Sequence, residues 1–159
     1  MGKLRPFEQQ DYPLLIEWID SSELNYLWGG PKFDFPLTLE QISEHCLCPD
    51  VLPFVFEVNG VNAGYVELFR VSESHFRICR VYICCGFRGQ GISKTMLTQL
   101  IELAQEKYHV SKLSLVVFEQ NHAARNSYAS LGFHVTSEQS DVRLFEGEPW
   151  TLLGMEKLL

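Results

Sequence analysis

The spacing of apolar and polar positions along the chain predicts seven strands and four helices. The predicted strands cover residues 4–7, 54–58, 61–70, 76–84, 112–118, 133–136 and 150–157. The predicted helices begin after Asp11, near Leu39, near Gly89 and after Asn121. The order is therefore β-α-α-β-β-β-α-β-α-β-β, which indicates a mixed sheet in an α/β or α+β layer fold.

Helix and turn signals support this order. The helix over residues 89–106 has one apolar stripe, made of Ile92, Met96, Leu97, Leu100, Ile101 and Ala104. Thr38 and Gln41 have the spacing of a capping box, and Gly132 supplies a left-handed position that ends the last helix. Asn59 and Gly60 both tolerate positive φ, so they predict a two-residue hairpin turn. Residues 28–36 are interpreted as a loop.

The composition is that of an ordinary globular protein. Hydrophobic residues make up 46% and charged residues 21% of the 159 residues, which suits a single domain over residues 1–159. No apolar run approaches the roughly 20 residues of a membrane-spanning helix, so no membrane partner is expected. The net charge of −7 makes nucleic acid a poor partner, because acidic surfaces repel phosphate backbones. The same charge either weakly favours cationic substrates such as amines or only keeps the protein soluble.

The N-terminus and the cysteines predict a cytoplasmic protein. Residues 1–6 lack the long apolar core of a signal peptide. There are 5 cysteines, an odd number without such a signal, which argues against a disulfide framework. The gaps in Cys46-Leu47-Cys48 and in Cys84-Cys85 are too short for a structural zinc site. We therefore expect no metal, and we interpret the cysteines as buried free thiols.

Residues 87–93, Phe-Arg-Gly-Gln-Gly-Ile-Ser, are the most informative stretch because they lie between a predicted strand and a predicted helix. A helix N-terminus carries unpaired N–H groups and partial positive charge, so it binds anions. A P-loop would need lysine where Ile92 stands, and a dinucleotide fingerprint would need a third glycine. The pattern Arg88-x-x-Gly91-x-Ser93 fits an acyl-coenzyme A loop, Gln/Arg-x-x-Gly-x-Gly/Ala, with Ser93 as its departure. A glycine-rich helix start without a ligand is the alternative.

A second motif follows at residues 121–133. The pattern Asn-x-x-Ala-x-x-x-Tyr-x-x-x-Gly-Phe is matched by Asn121, Ala124, Tyr128, Gly132 and Phe133. Together the two motifs resemble those of the GNAT superfamily of N-acetyltransferases. The opening at residues 4–7, followed by Asp11 and Trp18, is similar to the branch that includes ribosomal-protein N-terminal acetyltransferases. The resemblance implies a mixed, mostly antiparallel sheet flanked by helices, and one acetyltransferase domain.

The resemblance also implies roles for individual residues. The pyrophosphate of acetyl-CoA, the co-substrate, would be held by Arg88, Gly89, Gln90, Gly91, Ile92 and Ser93. A backbone N–H near Ile83 would polarise the thioester carbonyl, and Asn121 would contact the cofactor. Tyr128 would protonate the departing thiolate. From helical spacing alone, Tyr128 is a residue of an apolar face and Asn121 is a helix cap.

The general base is left open by these patterns. A lysine amine with a pKa of ~10.4 is almost fully protonated at pH 7, whereas an α-amine with a pKa of ~8 needs a base less. Candidates for the base, acting directly or through water, are Glu67, Tyr82, His75 and Glu119. Glu67 joins Tyr128 in the predicted catalytic set, because its strand follows the hairpin and can face the acceptor. The alternative for Glu67 is a solvated face.

The predicted function is transfer of an acetyl group from acetyl-CoA to a primary amine, on a protein N-terminus or a small molecule. We expect direct attack in a ternary complex, because covalent catalysis by Cys84 would need an activating base that the sequence does not reveal. A non-catalytic acyl-CoA-binding regulatory module on the same fold is the alternative. Trp28, Phe33 and Phe35 either line the acceptor cleft or belong to the core. We expect a monomer or a homodimer.

Overall fold

A seven-stranded sheet with helices on both faces forms the body of the molecule. The computed structural model describes residues 2–145 and 147–159, and the side chains of residues 2–139 and 147–159. The strands are β1 (Gly2–Pro6), β2 (Val51–Val58), β3 (Val61–Arg70), β4 (His75–Ile83), β5 (Lys112–Phe118), β6 (His134–Phe145) and β7 (Glu148–Leu158). The helices are α1 (Tyr12–Trp18), α2 (Ser22–Gly29), α3 (Leu39–Cys46), α4 (Ile92–Glu106) and α5 (His122–Ser130). None of these helices is long and apolar enough to cross a membrane.

The strands lie in the order β1-β2-β3-β4-β5-β7-β6. Every neighbouring pair is antiparallel except β4 and β5, which run parallel. The prediction of a mixed, mostly antiparallel sheet flanked by helices is therefore confirmed. The hairpin turn is also confirmed, since Asn59 and Gly60 both have positive φ between β2 and β3.

The predicted order lacks one helix. Helix α2 covers the start of the segment that was interpreted as a loop, so Trp28 is helical. Ser21 caps α2 by accepting a hydrogen bond from the Leu24 N–H at 3.1 Å. The negative charge of Glu23 in the first turn interacts favourably with the positive end of the helix dipole. These capping signals were present in the sequence, but the two glycines after Trp28 outweighed them in the prediction.

The core has two parts, one on each face of the sheet, because successive side chains of a strand point to opposite faces. On one face, α4 and α5 pack on strand residues such as Phe56, Val66 and Ile78, and the whole predicted stripe of α4 is buried. On the other face, α1, α2 and α3 pack on residues such as Val55 and Tyr65. The sheet thus separates a face covered by α4 and α5 from a face covered by α1–α3.

The sheet opens between β4 and β5. These strands pair only from His75↔Lys112 to Arg77↔Ser114, after which β4 stays paired with β3 and β5 with β7. Beyond this opening β4 carries a β-bulge, since two residues, Arg80 and Val81, oppose the single residue Val66 of β3. Arg80 has a φ of 52°, which is rare for a residue other than glycine. Bulges and such strained residues are enriched at functional sites.

All five cysteines are free, as predicted, but they are not all buried. Cys46, Cys48, Cys79 and Cys84 are half-buried, and Cys85 is exposed. The expectation of a buried Cys85 is wrong because the strand ends at Ile83, and Cys85 starts a 3-10 turn that leads into the loop before α4.

Candidate active site

A cavity of about 490 Å³ fills the opening between β4 and β5. Its walls are the diverging halves of β4 and β5, the end of α2 with the following Gly30, and α5 with its cap residue, through Tyr128 and Asn121. The cavity thus connects the two faces of the sheet: α2 closes it on one face, and α5 on the other. We call it the strand-gap cavity.

Tyr128 presents the one phenol among the described residues that line the strand-gap cavity. Its helix, α5, begins at Asn121, whose side chain accepts a hydrogen bond from the Ala124 N–H at 3.1 Å. This cap confirms the predicted helix start. Burial raises the pKa of Tyr128 to about 12, so its hydroxyl keeps its proton at neutral pH and is available as a donor.

A second cavity, of about 340 Å³, lies at the N-terminus of α4. It brings together six residues of the predicted cofactor set: Ile83, Arg88, Gly89, Gly91, Ile92 and Ser93. Lys94, Ser127 and Ser130 also line it, although none of them occupies a fixed position of the two motifs. We call it the loop cavity.

The loop leaves backbone donors free at this helix start. Gly89 and Gly91 have φ values of 76° and 75°, a conformation that glycine adopts without strain. The first backbone hydrogen bond of α4 joins the Thr95 N–H to the Gly91 carbonyl at 3.2 Å. The amides of residues 92–94 therefore precede the first closed turn and are free to bind an anion, with Lys94 adding a positive charge. Gln90 does not line the loop cavity, because its side chain donates to the Gly86 carbonyl at 3.1 Å.

The end of β4 offers backbone groups toward the sheet opening. The Cys84 N–H donates to the carbonyl of Ala63, which lies on β3, at 2.8 Å. Because successive N–H groups of an extended strand point in opposite directions, the Ile83 N–H points away from β3, toward the edge that β5 leaves unpaired. The Arg88 side chain also lies at the end of β4. Its Nε donates to the Ile83 carbonyl at 2.9 Å, and its guanidinium stacks on Tyr82.

Glu67 lies in a buried cluster rather than on a solvated face. The residue is 1% exposed and lies outside the lining of the strand-gap cavity. Its carboxylate accepts hydrogen bonds from His45 Nε2 at 2.9 Å, from Arg80 Nη1 at 2.9 Å and from the Tyr65 hydroxyl. Burial by itself raises the pKa of Glu67, but the hydrogen bond from His45 and the charge of Arg80 outweigh it and lower the pKa overall. A carboxylate held in this way is a poor proton acceptor.

The other candidate bases also lie outside the strand-gap cavity. His75 sits where β4 and β5 are still paired, with its Nε2 2.7 Å from the Ser114 hydroxyl. Tyr82 is buried among α1 and α2 side chains, and Glu119 is exposed. Among the described lining residues, there is no histidine and no carboxylate.

The three aromatic residues that were expected near the acceptor are placed differently. Trp28 combines both expectations, since it is 9% exposed in the core and also lines the strand-gap cavity. Phe33 is a core residue stacked on Trp28, and Phe35 is exposed away from the cavity. The indole N–H of Trp28 donates to the Arg80 carbonyl at 3.0 Å, which ties α2 to the bulge of β4.

Two arginines that sequence patterns did not reveal line the strand-gap cavity. Arg77 and Arg80 both lie on β4, and Arg80 donates to Glu67 while its guanidinium lies 5.7 Å from the Phe33 ring centroid. Only the bulge and the residues of β3 opposite them explain their placement. No local motif would have marked them.

Comparison with known proteins places these features in a family. The model of the acetyltransferase (GNAT) family matches residues 12–133. A putative ribosomal protein bS18-alanine N-acetyltransferase of Bacillus subtilis is 31% identical over 114 residues, covering 72% of this chain and 69% of that protein. A spermidine N(1)-acetyltransferase of Escherichia coli K12 is 25% identical over 138 residues, covering 86% of this chain and 74% of that protein. The crystal structure of a spermidine N-acetyltransferase from Vibrio cholerae, in complex with CoA and spermine, shares the fold with a TM-score of 0.86 at 19% identity, covering 99% of this chain and 95% of that one.

Proposed function

Because the chain belongs to the GNAT acetyltransferase family, we propose that it transfers the acetyl group of acetyl-CoA to a primary amine by direct attack within a ternary complex. The observation that carries this proposal is the succession of two cavities along β4. Residues up to Val81 line the strand-gap cavity, and Ile83 begins the loop cavity. A long co-substrate can therefore place its phosphates at α4 and its thioester in the sheet opening.

The loop cavity supplies what a pyrophosphate needs. The free amides of residues 92–94 lie at the positive end of the α4 dipole, and Arg88 and Lys94 add two full charges. Arg88 would leave the Ile83 carbonyl to meet the phosphates, which frees this edge of β4 for the amide groups of the pantetheine arm. Ser93 is small enough at the third loop position to allow a close approach.

Tyr128 and the Ile83 amide are the groups we assign to the chemistry. The amine nitrogen forms a bond to the thioester carbon, and the carbon–sulfur bond breaks. The Ile83 N–H faces the side on which charge develops on the carbonyl oxygen. The sulfur takes the proton of Tyr128, and a proton of the new amide nitrogen returns to solvent or to the tyrosine. Asn121, at the start of the same helix, fixes the position of Tyr128 through the cap it forms.

Two observations favour direct attack over a covalent enzyme intermediate. Cys79 is the one cysteine among the described lining residues of the strand-gap cavity, and burial raises the pKa of its thiol. Cys84 is not among the lining residues. A thiol without a neighbouring base stays protonated and is a weak nucleophile. The amine itself is thus the attacking group.

We propose Glu67 as a positioning residue for Arg80 and assign no side chain as the general base. In the absence of a histidine or carboxylate in the described lining, the amine loses its proton to water before or during attack. The acceptor is a small molecule or a protein N-terminus; of the two relatives, one is named for spermidine and the other, a putative enzyme, for an alanine of ribosomal protein bS18.

Isothermal titration of the purified protein with acetyl-CoA and with CoA tests this function. We expect micromolar binding of both, and thiol release when amines are added to the acetyl-CoA complex. Absence of binding to either ligand would contradict the loop assignment, and binding without thiol release across a broad amine panel would contradict the transferase assignment.

A further inference from the structure

The strand-gap cavity carries positive charge inside an acidic protein. The whole chain has a net charge of −7, yet the charged residues among the described lining of the cavity are Arg77 and Arg80. Glu67 pairs with one of these two arginines, Arg80, but Glu67 is only 1% exposed and does not line the cavity. The other, Arg77, has no carboxylate oxygen within salt-bridge distance among the described side chains.

The guanidinium of Arg80 is only partly used by the protein. Its Nη1 donates to Glu67, whereas its Nε is buried without a hydrogen-bond partner among the described residues. An unpaired buried donor is costly and calls for an explanation. The side chain remains 18% exposed and lines the strand-gap cavity. Arginine binds carboxylates through charge-assisted hydrogen bonds, so a carboxylate is the group that suits this part of the wall.

The backbone at Arg80 is held in the left-handed region within the bulge of β4. Its φ of 52° costs free energy, and two contacts maintain it: the Trp28 indole bond to its carbonyl and the Glu67 bond to its guanidinium. Without the bulge, the regular alternation of side chains along β4 would turn residue 80 toward the opposite face of the sheet. The bulge therefore places a guanidinium at the cavity wall next to Trp28, on the face covered by α2.

From these observations we propose that the acceptor is a small primary amine that carries a carboxylate, as an α-amino acid does, and that Arg80, assisted by Arg77, binds that carboxylate. This inference rests on the proposed function and adds the substrate class. A polyamine would bring further positive charges toward two arginines, with no described carboxylate in the lining to receive them. A carboxylated amine instead brings one negative charge to the arginines and its amine to the thioester.

Matched acceptor pairs test the inference. The common amino acids other than proline, which lacks a primary amine, are compared with the amines that have the same side chains but lack the carboxylate, and with spermidine, by thiol release from acetyl-CoA. We expect at least one carboxylated amine to have a kcat/KM about 10-fold or more above that of its carboxylate-free partner, the range given by a hydrogen bond to a charged group. Arg80→Gln should remove this preference through KM, and Arg80→Lys should retain part of it.

The outcomes separate this inference from the proposed function. Acetyl-CoA binding, measured by titration on each protein, must be unchanged in Arg80→Gln. If that variant does not fold, Arg77→Gln, which changes an exposed residue, should lower the preference several-fold. Equal or better use of carboxylate-free amines or spermidine, a preference that survives the substitutions, or acetyl-CoA binding without acetylation of any carboxylated amine would overturn the inference. Failure of acetyl-CoA to bind the unaltered protein would instead overturn the proposed function.

Discussion

Glu67 Oε1 lies 2.9 Å from Arg80 Nη1, and this contact joins β3 to the bulge of β4 at the edge of the sheet opening. Glu67 is held in turn by His45 of α3 and by Tyr65, which precedes it by two residues on the same face of β3. Helix α3 is thus linked through one buried carboxylate to Arg80, which lines the strand-gap cavity. Substitutions in the buried cluster should therefore weaken acceptor binding.

Glu67→Gln tests this link. The variant leaves the Arg80 charge without its partner, and breaking a buried ion pair costs about 3–5 kcal/mol of stability. We expect the KM for the acceptor to rise about 10-fold, while the affinity for CoA stays unchanged because no residue of the cluster lines the loop cavity. Steady-state kinetics and titration with CoA measure the two effects. The control is Glu57→Gln, since Glu57 pairs with Arg5 away from both cavities. A folded Glu67→Gln protein with an unaltered acceptor KM would show that the cluster is only structural.

Trp28→Phe tests the connection between α2 and the bulge. The substitution removes the indole donor to the Arg80 carbonyl while keeping an aromatic ring in the core. We expect a loss of about 1 kcal/mol in stability and a several-fold rise in acceptor KM, because Arg80 is no longer fixed from this side. Trp18→Phe is the control, since Trp18 packs on Tyr82 and lines neither cavity. Equal acceptor KM values for the two variants would remove Trp28 from the positioning of Arg80.

The pH dependence of turnover tests the absence of a side-chain base. We expect kcat/KM for the amine to rise with pH along the ionisation of the amine itself, and its midpoint to move when an amine of different pKa is used. No decline is expected up to about pH 10, because burial raises the pKa of Tyr128 to about 12 and its hydroxyl stays protonated. A rise at one fixed pH near 6–7 for every amine would indicate a titrating enzyme base and contradict this account.

Asp11 links stability to acid pH. Arg5 Nη1 lies 2.7 Å from Asp11 Oδ2, and this hydrogen bond lowers the pKa of the Asp11 carboxyl. A group whose pKa is lower in the folded state stabilises the protein above its unfolded pKa of about 4, and this contribution is lost as the pH falls through the folded-state value. Asp11→Asn should therefore cost about 1–3 kcal/mol at pH 7 and less at pH 3, which lies below the unfolded-state pKa.

Urea unfolding at the two pH values measures this difference. The matched control is Asp50→Asn, since Asp50 is half-exposed and 3.9 Å from Arg70, a pair that contributes little. A cost of Asp11→Asn that is the same at pH 3 and pH 7 would show that the ion pair does not depend on the charge of Asp11.

Local patterns were sufficient for most of the fold. The stripe of α4, the Asn59-Gly60 turn and the Asn121 cap each depend on residues close in sequence, and the structure confirms all three. The helix α2 was missed because its signals, a serine cap and an acidic first turn, competed with the glycines that follow it. Element order could thus be predicted wherever one local signal dominated.

The residues of the candidate site also divide into those that a local motif predicts and those that depend on strand pairing. The loop residues around Arg88 and Gly91 are contiguous in sequence, so their motif predicts a cavity that the structure forms. Arg80 and the burial of Glu67 depend on a bulge and on pairing between β3 and β4, which place partners 13 residues apart side by side. Strand register of this kind leaves no motif, so the placement of Arg80 and Glu67 could not be predicted from the sequence.

The most direct test of the account compares Arg88→Ala with Tyr128→Phe in one set of measurements, with acetyl-CoA affinity from titration and kcat from thiol release at saturating substrates. The assignment of the loop cavity to the phosphates predicts that Arg88→Ala weakens acetyl-CoA binding about 10-fold and leaves most of kcat. The assignment of Tyr128 as proton donor predicts that Tyr128→Phe lowers kcat about 100-fold and leaves binding intact. Arg70→Ala and Tyr108→Phe, which change residues outside both cavities, should alter neither quantity. Unchanged kcat in Tyr128→Phe, or unchanged affinity in Arg88→Ala, would contradict the placement of the reaction in the opening between β4 and β5.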